Sequence, residues 1–225
     1  MHSCHWNSAV RSAALALLAG PLLACASSNL VVNGSFDDRT DPLTGWKFKY
    51  DPSQDKNAGW YVDNDKHVSV VADGAQKSVL ALWGDIAILQ VPGQGTKVDS
   101  APIAVDMKHH YRFTVHARTT GPGSRILLEG YGWRPGIKPH ANPTLNELRK
   151  CYKFSLLYFG DAQEGSRSAV GPAWKRASMT FPDRTKSQLQ EDLLNKVTFV
   201  VIHIVAIDGS EGYLYVDDVS LEKAD

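Results

Sequence analysis

Two pairs of adjacent acids, Asp37-Asp38 and Asp217-Asp218, stand near opposite ends of the chain, each inside an otherwise apolar, strand-like stretch. Leu214 and Val216 share a face by period 2, and so do Val219 and Leu221, but the step from Val216 to Val219 is three. A β-bulge absorbs such a slip and re-aims a side chain. Two carboxylates this close raise each other's pKa unless a cation is present. If residues 29–38 and 213–222 are the first and last strands of one sheet and lie side by side, the two pairs meet at one edge as an all-oxygen site. Hard carboxylate and carbonyl oxygens suit Ca²⁺. The competing reading is that each pair is exposed turn polarity.

Other reactive groupings are scarce. There is no Gly-x-Ser-x-Gly, no His-Glu-x-x-His, no Glu-x-Asp-x-x-Glu, no phosphate loop and no Cys-x-x-Cys. Asp85 and Glu129 sit near strand ends, where a pair of carboxylates can hydrolyse a glycoside, but no spacing favours one pair. His203 lies in an apolar strand and reads as a core histidine with its partners supplied. Beyond Cys25 the only thiol is Cys151, so no disulfide framework is expected and Cys151 reads as a small buried hydrophobe.

The first 25 residues read as an export signal rather than as fold. Arg11 precedes an apolar run from Ala13 to Ala24, followed by small residues. The run is shorter than the roughly 20 residues a bilayer span needs. Leu22-Leu-Ala-Cys25 resembles the bacterial lipobox, in which Cys25 would be lipidated and become the first mature residue. Cleavage after Ala24-Cys25-Ala26 is the alternative. One lipid anchor tethers a domain to a membrane surface without crossing it. The expected location is therefore the outer membrane or cell surface, with secretion or the periplasm under the second reading. Removing residues 1–25 takes away one Arg and no acid, leaving a net charge of −1. That balance lacks the basic surplus of nucleic-acid-binding proteins.

The remaining 26–225 read as one all-β domain, an antiparallel β-sandwich of jelly-roll type. Strands are expected at 46–50, 60–62, 67–71, 78–83, 86–91, 111–117, 124–131, 152–159, 174–181, 197–207 and 213–222, punctuated by turns such as Gly121-Pro-Gly123. The 197–207 strand is apolar on both faces, which places it mid-sheet and covered. In 111–118, Arg112, Thr114, His116 and Arg118 share the polar face. Capping-box patterns at Thr144-Leu-Asn-Glu147 and Ser187-Gln-Leu-Gln190 predict two short helices in loops. Trp133–Lys150 reads as a proline-stiffened insertion between two strands, either a binding loop or a cap over a sheet face.

Asn29-Leu-Val-Val-Asn-Gly-Ser-Phe-Asp37, Trp46 after a short loop, and Tyr215-Val-Asp217-Asp218-Val-Ser-Leu221 resemble the carbohydrate-binding modules of the family 4, 9, 16 and 22 type. The resemblance covers the two ends of the domain; between them only the strand pattern agrees. It implies a galactose-binding-like jelly roll, a polysaccharide or glycan partner, no catalysis, and a structural Ca²⁺ held by Asp37 and Asp217. Asp stands here where that family more often has Glu. A sugar ligand needs aromatic faces for stacking and polar groups for its hydroxyls. Candidates are Trp60 and Trp133, which flank loops, with Arg134 and His140 of the insertion; Trp83 reads as core. The alternatives are an envelope interaction domain without a sugar ligand, or a glycoside-active enzyme.

Overall fold

A computed structural model describes residues 28–50, 64–74, 76–84, 95–159, 171–183, 188–209 and 211–224. The expected export signal with Cys25, the 60–62 and 86–91 strands, and Trp60 lie outside the described residues. Among the described residues no helix is long and apolar enough to cross a membrane.

Eleven strands form among the described residues: β1 Trp46–Lys47, β2 Val68–Asp73, β3 Gln76–Gly84, β4 Thr96–Ser100, β5 Ile103–Ala104, β6 Tyr111–Thr119, β7 Pro122–Trp133, β8 Leu148–Phe159, β9 Lys175–Phe181, β10 Phe199–Gly209 and β11 Gly212–Lys223. One short helix, α1, spans Gln188–Leu194. The strands form two antiparallel sheets, ordered β1-β4-β10-β7-β8, with β5 also on β10, and β2-β3-β11-β6-β9. The chain is therefore an antiparallel β-sandwich of jelly-roll type, as the strand pattern predicts.

The core follows from alternation. Phe113, Val115 and Ala117 of β6 and Leu214, Val216, Val219 and Leu221 of β11 point inward from one sheet. They meet Ile126 and Leu128 of β7 and Val200, Ile202, Ile204 and Ala206 of β10. β10 sits mid-sheet, and Val201, His203 and Val205 on its other face are buried too.

Five expectations need correction. Residues 29–38 are not a regular strand: Asn33 and Phe36 have φ of 48° and 54°, and the segment turns inward to bury Phe36 against Trp46. It does lie beside β11. The Leu30 amide donates to the Leu221 carbonyl (2.8 Å) and the Val219 amide to the Gly34 carbonyl (2.9 Å). Between these, the Asn29 side chain takes the place of a peptide group, accepting from the Leu221 amide (3.0 Å) and donating to the Val219 carbonyl (3.1 Å). The segment thus fills the flank of β11 that β3 leaves after Val216.

Second, β4 and β5 were not expected, because β4 turns only Val98 into the core while Lys97 and Asp99 lie on the outer face. Third, the 133–150 stretch is shorter than expected. Trp133 already pairs with Leu148, so 134–147 is the connection of a long β7–β8 hairpin, and its helix is a single 3-10 turn at Leu145–Glu147. Fourth, Trp83 lies on the outer face of its sheet rather than in the core, half-buried against Tyr213. Cys151, also expected to be buried, is a half-buried free thiol.

Candidate functional site

The period slip at 216–219 is a bulge: pairing of β11 with β6 shifts between Asp217 and Ser220, and Asp218 has φ 48°. The two acids consequently point to different places. Asp218 reaches out to His116 Nδ1 at 3.1 Å. Asp217 turns inward, 3% exposed, and its Oδ1 has no hydrogen-bond partner. Burial, together with the charges of Asp218 and Asp37, pushes its carboxyl up to about 6. The structure thus brings Asp37 within electrostatic reach of Asp217. An orphaned buried carboxylate oxygen beside a second acid fits a hard cation. Among the described residues no three His, Cys, Asp or Glu side chains converge as a metal-binding set. A cation here would take the Asp37–Asp217 pair plus backbone oxygens.

Past this bulge, the outer face of the five-stranded sheet carries a row of rings. On β3 and β11, Trp83 and Tyr213 are directly paired, with ring centroids 4.8 Å apart; Tyr215 follows at 5.6 Å from Tyr213. Across β11 lies Arg118 of β6, its guanidinium 3.9 Å from the Tyr215 centroid and 5.5 Å from that of Trp174. Asp73 Oδ2 ties the row together, accepting from Arg118 Nε (3.1 Å) and from Trp174 Nε1 (3.0 Å). Every ring is half-buried. The Trp83 indole N–H and the Tyr213 and Tyr215 hydroxyls have no partner among the described residues. Half-exposed rings with free polar handles are what a sugar-stacking surface requires.

Two residues along β6 the row gives way to a groove of about 540 Å³ between the 29–35 segment and β9. Asn29, Ser35, Thr114, His116, Arg176 and Ser220 line it, with Asp218 on its wall.

The outer face of the other sheet holds a different cluster. His203 Nδ1 meets Asp99 Oδ1 at 2.6 Å, and Nε2 lies 3.5 Å from Glu129 Oε2 and 3.3 Å from the Tyr131 hydroxyl. Lys97 and the Tyr50 hydroxyl hold the other Asp99 oxygen at 2.9 and 3.1 Å; Lys150 and the Tyr131 hydroxyl each hold Glu129 at 3.1 Å. Burial raises both carboxyls, but His203 and the lysines outweigh it and bring each down to about 2. For His203, burial pulls down while Asp99 and Glu129 push harder, so its pKa is raised. The expectation that His203 is a satisfied core histidine holds, and its partners are ionic.

A pH dependence follows from these directions. Depressed carboxylate pKa values give stability that is present above the ordinary range, about 4, and lost as pH falls toward 2. A raised His203 pKa gives stability that is full below about 6.5 and lost as pH rises through the raised value. Urea unfolding from pH 2 to 9 is expected to show greatest stability between about 4.5 and 6.5. A curve still rising above pH 8 contradicts this.

The expected ligand residues Trp133, Arg134 and His140 do come together, in the β7–β8 connection, but they hold one another and the hairpin. Trp133 packs edge-on against Phe199 and lies 5.1 Å from His140; Arg134 Nε donates to the Leu148 carbonyl at 2.8 Å. Glu147 accepts from the Thr144 amide (2.8 Å) and hydroxyl (2.9 Å) and meets His140 Nε2 at 3.0 Å. The connection itself is exposed from Arg134 to Asn142. Sequence reasoning missed Tyr213, Tyr215 and Trp174, although the alternation that turns Leu214 and Val216 inward turns both tyrosines outward.

No family model matches the chain and no curated protein matches it. Among solved structures it is similar to a family 16 carbohydrate-binding module-2, at 16% identity and TM-score 0.45, covering 86% of this chain and 99% of that one. It is similar to a family 4 carbohydrate-binding module at 14% identity and TM-score 0.43, covering 86% and 99%. A family 61 module in complex with β-1,4-galactotriose matches at 13% identity and TM-score 0.46, covering 88% and 99%. Likeness at this level carries no argument about ligand or activity, which must rest on the residues of this chain.

Proposed function

We propose that this chain is a non-catalytic glycan-binding protein that acts outside the cytoplasm. The observation that carries the reading is the ring row Trp83–Tyr213–Tyr215 on the outer face of the β2-β3-β11-β6-β9 sheet, braced by Arg118, Trp174 and Asp73. Tyr213 and Trp83 offer ring surface to a pyranose. Asp73, Arg118 and the free phenol hydroxyls offer the hydrogen bonds that fix its orientation. Binding rather than cleavage is favoured because the buried carboxylates Asp99 and Glu129 are saturated by His203 and lysines. Neither has the raised pKa of a general acid. The export signal read at 1–25, with Cys25 as its lipidation site, supports a place at the cell envelope.

Added polysaccharide is expected to shift the tryptophan fluorescence of the protein, and Tyr213→Ala is expected to weaken binding about tenfold or more, ~1.4 kcal/mol. Unchanged affinity in a folded Tyr213→Ala protein removes the ring row from the account.

We propose in addition that Asp37 and Asp217 hold a structural Ca²⁺, which would neutralise the orphaned Asp217 carboxylate and clamp the 29–38 segment to β11. A cation at about a hundred times its Kd stabilises by about 2.7 kcal/mol, which for a domain of this size is roughly 5–10 °C in Tm. A chelator is expected to lower Tm by that amount in the wild type and to leave Asp217→Ala unmoved. Equal melting with and without chelator sinks the calcium reading.

A further inference from the structure

The groove beside the ring row has a chemistry of its own. It is bounded by the 29–35 segment on one side and β9 on the other, and its floor is β6. Its walls are amides and hydroxyls, Asn29, Ser35, Thr114 and Ser220, rather than rings. Asp218 in it is already partnered, by His116 Nδ1 at 3.1 Å. Arg176 is not. It pairs in register with His116 across the β6–β9 ladder, is exposed, and its guanidinium has no partner among the described residues. Arg118, two residues along β6 from His116 on the same face, is bound to Asp73 and enclosed between rings. Arg176 is thus a free planar donor fork at the mouth of a polar groove.

Groove and rings belong to one surface. His116 and Arg118 are two residues apart on the same face of β6, a separation of about 7 Å, close to one sugar unit. Tyr213 stands two such steps from the His116 row, so a chain stacked on Tyr213 and running along the strands past Tyr215 would reach Arg176 about two to three units further on. Guanidinium pairs two-pronged with planar oxyanions and is matched to carboxylates and their analogues. We infer that the groove is the subsite for an acidic sugar unit, its carboxylate or sulfate held by Arg176 and its hydroxyls by Ser35 and Ser220. The inference rests on the glycan-binding reading and narrows it to acidic glycans.

The test compares four probes by titration against the whole protein: polygalacturonate as a carboxylate chain, dextran sulfate as a sulfate chain, and dextran and xylan as neutral chains. The expected result is preference for one acidic probe, with the carboxylate and sulfate arms identifying which oxyanion the groove takes. Affinity is expected to fall with salt, because an exposed ion pair is screened. Arg176→Gln, a change on an exposed strand position, is expected to lose about 10- to 100-fold on the acidic probe with neutral chains unaffected. Tyr213→Ala is expected to weaken acidic and neutral chains alike. Binding of neutral chains with no acidic preference, or an acidic preference untouched by Arg176→Gln, overturns the groove assignment while leaving the ring row in place. No binding to any of the four, with none to a wider set of neutral glycans, overturns both.

Discussion

His203→Leu is expected to lower the unfolding free energy by about 3–5 kcal/mol. The reason is what it leaves behind. His203 is 5% exposed and touches two carboxylates, Asp99 at 1% and Glu129 at 8% exposure. Leucine restores the packing volume but strands those carboxylates without the imidazolium, leaving Lys97 and Lys150 and the Tyr50 and Tyr131 hydroxyls to offset them. Removing one partner of a buried ion pair costs far more than the pair contributes over an apolar replacement. The triple change His203→Leu, Asp99→Leu, Glu129→Leu should therefore recover part of the loss, and the three effects will not add. Chemical denaturation of single and triple variants measures this directly. A His203→Leu loss under 1 kcal/mol would mean that the cluster is solvated and does not hold a protonated imidazole.

Gly34→Ala should cost about 2–4 kcal/mol, through the backbone rather than through charge. A Cβ at Gly34 would stand 2.0 Å from the Val219 carbonyl oxygen. β11 is held by β6 on either side of Val219, at Asp217 and at Ser220, so the 29–38 segment must lift instead. That would break the Gly34–Val219 hydrogen bond and disturb the Asn29 contacts to Val219 and Leu221. It would also separate Asp37 from Asp217, so Gly34→Ala should abolish any chelator response in the melt. Gly74→Ala is the control, because a Cβ there meets nothing within 4 Å; it should change stability by less than about 0.5 kcal/mol. Equal behaviour of the two variants would show that the segment is not seated on β11.

The parts of this molecule that could be read from sequence are those set by local periodicity. The long strands β6, β7, β10 and β11 are legible because their alternation is uninterrupted, and the bulge is legible because it interrupts one. The 29–38 segment misleads because Asn29 does with a side chain what a strand does with its backbone. Its Val31 is buried while the next residue, Val32, is 54% exposed, which looks like a strand until the left-handed residues Asn33 and Phe36 turn it. Trp83 misleads for another reason: Val79 and Ala81, on its own outer face, are fully buried, so β3 reads as apolar on both sides.

The ionic cluster was beyond reach. Asp99, Glu129 and His203 are 30 and 74 residues apart along the chain and meet only through the β4-β10-β7 order. The ring row was half within reach. Alternation alone turns Tyr213, Tyr215 and Arg118 outward, whereas the meeting of Asp73, at the end of β2, with Arg118 and Trp174 joins segments from the two edges of the sheet and leaves no local pattern.

A broad glycan array probed with the folded protein in the presence of calcium tests the central claim most directly, run side by side with Trp83→Ala and Tyr213→Ala. The account predicts binding to a defined set of glycans by the wild type and loss of that binding in both variants at unchanged melting temperature. A blank array with folded wild-type protein, or hits that both variants retain, would contradict it.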